Sequence, residues 1–370
     1  MATTQRDATQ HDAVVVGAGV IGLACAWRAA QRGLDVLVLE RDRPGAGASN
    51  VAAGMLAPVG EASWGEDRLL ELALASHRLW PEFAAELAEA GGGDPGFDEL
   101  GALHVALDRD EAAELRRRFE LMRERGLEAE WLGPSGCREL EPGLGGGGHG
   151  GIHAPHESAA DPRMLIGALG AALEAGGGRI EIAEASEALI DDGRLAGIRT
   201  ADGAEHRARH VVCAAGSWSA AGWLPEGARP AVRPVKGQIL TLAGPASQPV
   251  CERLVVTERI YVVPRGDGRL VLGATVEEQG FDTRVTAGGV HELLREGYRA
   301  LPQIAELELV EATAGLRPAT PDNLPLIGPG AIDGLVLATG HFRNGILLAP
   351  LTAERIADLL AGDRTEAVVR

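Results

Sequence analysis

Positive charge is scarce in this chain. Lysine and arginine number 35 against 53 aspartates and glutamates, a formal net charge of −18. Nucleic acid and anionic membranes both demand a basic face, so neither is expected as a partner. Long apolar runs are missing too. The longest uncharged one, Ala13 to Trp27, is too short to span a bilayer and carries three glycines. The opening "MATTQRDATQHD" is polar and reads as a frayed tail, not a signal peptide. Cys25, Cys137, Cys213 and Cys251 form no C-x-x-C pair. Cys25 and Cys213 lie in apolar runs, which points to buried thiols in a reducing cytoplasm. No G-x-S-x-G elbow, no H-E-x-x-H helix and no acid–base pair can be found, so no catalytic acid or base is assigned. His149, His153 and His156 have metal-like spacing, but they sit in a glycine-rich loop with no cysteine nearby, and no metal is expected.

What remains is an ordinary soluble composition, 45% hydrophobic and 24% charged over 370 residues. That length suits two domains or one large discontinuous one. "DAVVVGAGVIGLACAWRAAQRGLDVLVLE", Asp12 to Glu40, reads strand, tight turn, helix, strand: a parallel βαβ unit. A charged amphipathic helix follows in "DEAAELRRRFELMRERG", then a helix opening at Asp161 and Pro162. "RHVVCAAGSWS" is a further apolar strand. From about residue 229 short strands take over: "VRPVKGQILTLAG", "RIYVVPR" and "RLVLGATVEE", the last two joined by a hairpin at Gly266-Asp267-Gly268. Parallel-type texture returns in "LVLATG", and a last helix is expected from Gly345.

The fold class expected is mixed α/β: a Rossmann-type nucleotide-binding domain with an inserted antiparallel-sheet domain. The first takes 12–85, 150–225 and 306–370; the second, which would bind substrate, takes 86–149 and 226–305.

Gly17, Gly19 and Gly22 form G-x-G-x-x-G between a strand and a helix, the context this motif needs. Gly17 permits the turn, Gly19 lets backbone approach a pyrophosphate, and Gly22 lets helix and strand pack closely. Glu40, ending the second strand, can accept hydrogen bonds from a ribose. The motif alone does not separate NAD from FAD. Next comes "RDRPGAGASNVAAGMLAP", small enough to lie against an extended ligand.

In order, "VVVGAGVIGLACAWRAAQRG", "SNVAAGMLAP", "VVCAAGSWS", "VKGQ", "YVVPR", "LVLGAT", "AGLRPATPDNLPLIG" and "TGHFRNGILLAP" resemble the FAD-dependent amine oxidases of the D-amino-acid oxidase superfamily, the glycine-oxidising branch in particular. The resemblance runs from Asp12 to nearly the end, and its last two motifs are the most selective. It implies that Val20, Ile21, Glu40 and Arg41 contact the pyrophosphate and adenosine of FAD. Ala48, Ser49, Ala53, Gly54 and Met55 would lie along the ribityl chain and ring, and Ser186 would meet the adenine side through its backbone. Gly216 would end a strand beside the cofactor, and His341, Phe342, Arg343, Asn344, Gly345, Ile346 and Leu347 would wrap the isoalloxazine. Arg317 and Arg343 would hold a substrate carboxylate, with Tyr261, one of only two tyrosines, beside them.

By the same resemblance, the expected activity is oxidation of glycine, sarcosine or small D-amino acids by oxygen to an imine or glyoxylate, ammonia and hydrogen peroxide, supplying thiazole synthesis for thiamin. The partners implied are the amino acid and molecular oxygen; a homo-oligomer is left open. A D-amino-acid or sarcosine dehydrogenase with another electron acceptor, or a flavin protein without turnover, are the alternatives. Two departures matter. Val276 stands where the glycine oxidases have methionine after "GAT", which bears on pocket size. No cysteine follows Arg317, so FAD is expected to be non-covalent.

Overall fold

The computed structural model describes residues 10–362. The expected N-terminal tail falls mostly on residues outside these; His11 and Asp12, which it included, already belong to the first strand, His11–Val16. That strand is the centre of a parallel sheet. Val36–Glu40 and Arg179–Ile182 extend it on one side, Glu205–Cys213 and Leu335–Thr339 on the other. Its inner strands are apolar runs such as "VLVLE" and are buried on both faces, as parallel strands must be when helices cover them. Helix Val20–Gln31 lies at the heart of one face, beside Pro162–Ala175 and Ala349–Ala361. Trp27, Leu165, Leu169 and Ile356 share one buried cluster there with Trp80 and Phe83. As expected, Asp161 caps Pro162–Ala175: its carboxylate accepts the N–H groups of Arg163 and Met164.

In a second eight-stranded sheet Arg233–Ala243 is next to one edge, paired antiparallel with Arg269–Gly273 on its inner side and with the edge strand Glu308–Ala319 on the other. The hairpin at Gly266-Asp267-Gly268 joins Tyr261–Pro264 to Arg269–Gly273. Beyond them come Leu254–Val256, Ala102–Val105, Gly151–Ala154 and Glu130–Leu132.

Sheet membership departs from the expected boundaries in two places. Gly151–Ala154 lies beyond residue 150, and Glu308–Ala319 beyond 306, yet both strands belong to the second sheet. Their partners are remote in sequence, and local texture does not reveal remote pairing. Nor is this sheet wholly antiparallel, since Leu254–Val256 pairs parallel with Ala102–Val105.

The helices also differ from expectation, Pro134–Leu140 being one that local texture does not announce. Asp67–Leu87 is a further one; it buries Trp80 and Phe83 in the cluster beside the first sheet. The final helix begins at Ala349, not Gly345. A single helical turn precedes it, closed by Leu348 N–H on the Asn344 carbonyl at 2.8 Å, and Pro350 is accommodated in the first turn. Among the described residues no helix is long and apolar enough to cross a membrane.

Candidate active site

A cavity of about 350 Å³ is lined by both sheets. At one end the first strand runs into Gly17, at φ +109°, where a side chain would strike the Ala214 carbonyl. A Cβ on Gly22 would lie 1.9 Å from the Gly17 oxygen, so this glycine serves helix–strand contact and does not face the cavity. Gly19 precedes the helix, and Val20 N–H is met by the Ser49 hydroxyl at 3.1 Å. The rest of the first turn keeps its N–H groups open to an anion. Glu40 is fixed by two backbone bonds, from Ala18 N–H at 2.8 Å and Asp42 N–H at 3.1 Å. A carboxylate retains acceptor capacity beyond those two, enough for ribose hydroxyls. Arg41 lies over the Trp218 ring at 4.0 Å.

The middle of the cavity is lined by Ala48, Ser49, Ala53, Gly54 and Met55. Gly54 is irreplaceable sterically: its φ is +76°, and a Cβ would sit 1.8 Å from the Ala160 carbonyl. This segment is braced from behind by Arg265, whose guanidinium donates to the Ala53 carbonyl and lies beside Asp161.

At the far end stand Tyr261, Arg317, Arg343 and Glu61. Tyr261 opposes Gly273 across the hairpin, and its ring occupies the place a Gly273 side chain would take. Arg317, on Glu308–Ala319, likewise lies over Gly237; a Cβ there would come within 2.3 Å of its Nη1. Two glycines thus clear the sheet surface for two large polar groups. Arg317 Nη1 donates to the Thr275 carbonyl at 3.1 Å. Nη1 also reaches the Lys236 carbonyl at 3.4 Å and the guanidinium meets the Tyr261 hydroxyl, which leaves part of its five N–H donors for a ligand. Burial pushes the Tyr261 phenol up, and the adjacent Arg317 charge pulls it back.

Arg343 is exposed at the rim, 5.4 Å from the Phe342 ring. Phe342 has φ +47°, a conformation rare for an aromatic residue, and its N–H donates to the Pro318 carbonyl at 2.9 Å. That bond ties the Arg343 loop to the Arg317 strand. His341 is buried, bonded to the Thr352 hydroxyl at 3.0 Å, and burial lowers it to about 3, so the ring is neutral.

Most expected site residues line this cavity: Gly17, Gly19, Val20, Ile21, Glu40, Arg41, Ala48, Ser49, Ala53, Gly54, Met55, Gly216, Tyr261, Arg317, His341, Phe342, Arg343, Gly345 and Ile346. Four do not. Besides Gly22, Ser186 is exposed and donates to the Arg199 carbonyl, and its neighbours Ala183, Glu184 and Ala185 line the cavity in its place. Asn344 and Leu347 hold the loop: the Leu347 carbonyl accepts from Ser76 and Trp80. Val276 is 69% exposed and outside the lining, so it has no bearing on pocket size. His149, His153 and His156 do not share one loop, because His153 lies on strand Gly151–Ala154; among the described residues no group of three potential metal ligands occurs. Sequence reasoning missed Glu61, Trp218 and Arg265. Trp218 and Arg265 lie inside the motifs "GSWS" and "YVVPR", whereas Glu61 carried no local signal.

An open helix N-terminus, a fixed carboxylate at a strand end and a small-residue wall fit a dinucleotide such as FAD. Comparison with known proteins agrees. The family described as "DAO: FAD dependent oxidoreductase" matches residues 12–359. A glycine oxidase of Geobacillus kaustophilus is 36% identical over 360 residues, covering 96% of this chain and 94% of that protein. A "Bifunctional protein ThiO/ThiG" of Trichormus variabilis is 37% identical over 96% of this chain, which spans 53% of that relative's length. A second protein of that name, from Nostoc, is also spanned over 53% of its length, so the chain corresponds to about half of these two. The crystal structure of glycine oxidase from Geobacillus kaustophilus superposes with a TM-score of 0.91 at 35% identity, covering 97% of this chain and 96% of that one. The chain belongs to the family of FAD-dependent oxidoreductases that includes these glycine oxidases.

Proposed function

We propose that this protein oxidises glycine, with sarcosine and small D-amino acids as secondary substrates, using non-covalent FAD and oxygen. The observation that carries the reading is the convergence of Arg317, Tyr261 and Arg343 at one end of a cavity with dinucleotide features at the other. Arg317 grips the substrate carboxylate with its free N–H groups, in the bidentate geometry lysine cannot copy. Tyr261 adds a hydroxyl donor, and Arg343 adds charge at the rim. Val20, Ile21, Glu40 and Arg41 hold the cofactor's phosphates and adenosine. Ala48 to Met55 and His341 to Ile346 flank its ring.

Bound FAD supplies the two-electron acceptor. The protein's part is to fix the α-carbon at hydride distance and exclude water. The imine product goes to thiazole synthesis or hydrolyses; overall, glycine, oxygen and water give glyoxylate, ammonia and hydrogen peroxide. Two relatives named ThiO/ThiG support the link to thiazole synthesis. Four free, buried cysteines accord with a reducing cytoplasm.

The test is to purify the yellow protein and add glycine without air. Bleaching of the flavin is expected, followed by stoichiometric peroxide when oxygen is admitted. Bleaching without peroxide would turn the assignment into a dehydrogenase, and no bleaching by any small amino acid would end it. Acid precipitation should leave a colourless pellet, since no cysteine is placed to tether the ring.

A further inference from the structure

We infer that Glu61 binds the amino group of the substrate and takes its proton, so that the nitrogen is neutral when hydride leaves the carbon. The inference rests on the reading of the cavity as an amino-acid site.

Four carboxylates line the cavity among the described residues: Glu40, Asp42, Glu184 and Glu61. The first three surround the dinucleotide end. Glu61 alone shares the far end with Arg317, Tyr261 and Arg343. A free amino acid is a zwitterion. Two arginines answer its carboxylate, but its ammonium also leaves water and needs an anion. Among the described residues the Glu61 carboxylate has no hydrogen bond and no ion pair, and is open to the cavity.

Its position is secured from behind. Gly60 N–H donates to the Glu157 carboxylate, and Arg118 donates to the Gly60 carbonyl. A Cβ on Gly60 would lie 2.0 Å from His104 Nε2, so the loop rests directly on that ring. His104 and Glu157 are only 2% and 1% exposed, 3.5 Å apart. Neither His104 nitrogen has a hydrogen-bond partner, and neither does Glu157 Oε2. A buried polar group is therefore spent on placing this one turn, where an apolar floor would have been simpler.

The titratable and charged groups facing Glu61 are Arg343 on the C-terminal loop, Arg118 on helix Arg109–Glu124, His104 and Glu157 beneath it, and Tyr261 across the cavity. Burial pushes its carboxyl above the ordinary range. Arg343, Arg118 and His104 pull it down, and Glu157 pushes it up. The net upward direction brings its proton affinity closer to that of an amine, as a proton acceptor requires. In the step itself an N–H bond of the ammonium breaks and an O–H bond forms on Glu61. The freed nitrogen lone pair then forms the C=N bond as the α-hydrogen leaves with its electron pair, for which bound FAD would be the acceptor.

The experiment uses the FAD-loaded protein and Glu61→Gln. Anaerobic flavin reduction by glycine is followed from pH 6 to 10, and glycolate, which lacks the amine, is titrated by its effect on the flavin spectrum. Glu61→Gln is expected to keep its FAD and to bind glycolate within about twofold of the parent. Its reduction rate over Kd for glycine should fall at least tenfold near pH 7 and recover at alkaline pH, where glycine arrives with a neutral amine. Glu61→Asp should keep the parent's pH profile with a raised Kd.

Parent-like reduction by Glu61→Gln at every pH overturns the inference. So does an equal loss for glycine and glycolate with no alkaline recovery, the signature of a merely structural residue. If the parent itself is not reduced by glycine or any small amino acid, the functional reading fails first, a result separable from the others because it needs no variant.

Discussion

The two ends of the cavity are built by opposite strategies. The dinucleotide end comes largely from one continuous stretch: strand, glycine turn, helix, strand and acid between His11 and Glu40. Its geometry follows from backbone contacts a few residues apart. The substrate end is assembled from four remote segments, bringing Glu61, Tyr261, Arg317 and Arg343 together. Damage at the first end should therefore cost fold and cofactor. Damage at the second should cost turnover and leave the yellow protein intact.

The largest effect expected is at Gly22. A valine would force its Cβ into the Gly17 carbonyl, 1.9 Å away, where neither backbone can yield. The cost should exceed about 3 kcal/mol, the usual ceiling for overpacking a core. Gly22→Val is expected to be insoluble or free of flavin, as read by the ratio of visible to ultraviolet absorbance and by thermal unfolding. A yellow, stable Gly22→Val would break the comparison at its root.

Arg317→Leu should be the reverse case. Each charged hydrogen bond to a carboxylate is worth roughly 1.5–3 kcal/mol. The variant should retain FAD while kcat/KM for glycine falls at least tenfold, with the affinity for glycolate falling in parallel. Parent-like glycolate binding would mean the carboxylate is held elsewhere. Arg343→Leu should cost less, because Arg343 is exposed and screened by water. A several-fold loss in kcat/KM is expected. Removing this charge also removes a downward pull on Glu61, so the acid limb of the pH profile should move to higher pH.

The same contrast explains what the sequence disclosed. The βαβ unit was legible because periodicity, glycine spacing and the terminal acid lie within one window. Asp161 and the hairpin at Asp267 were legible for the same reason. The roles of Tyr261, Arg317 and Arg343 came only from family resemblance, since a lone arginine is ordinarily a surface charge. Glu61 had no such help, and nothing near it reveals that Arg343 shares its cavity. Gly237 and Gly273 illustrate the limit: each is an unremarked strand glycine until the register sets it under Arg317 or Tyr261. The helix Asp67–Leu87 has a clear apolar period, but Pro81 inside it reads as a stop. The last helix starts a few residues beyond Gly345, the scale on which element ends escape pattern reasoning.

His341 supplies the smallest effect and the sharpest boundary between the two ends. It lines the cavity two residues before Arg343, yet it should act on stability rather than on turnover. Burial lowers it from the usual 6.5 to about 3, with no carboxylate nearby to favour its charged form. Between those values the unfolded chain binds a proton that the folded chain does not. Stability is therefore complete above pH 6.5 and declines as the pH falls toward 3. Glutamine can keep a donor near the Thr352 hydroxyl without titrating. His341→Gln should be slightly less stable at pH 8, because the packing is imperfect, but its unfolding temperature should fall less steeply than the parent's between pH 6.5 and 4.5. Equal slopes would show that His341 does not govern this acid limb. If the substitution instead cut kcat for glycine severely at unchanged stability, His341 would belong with Arg317 and Tyr261 in the chemistry of the site.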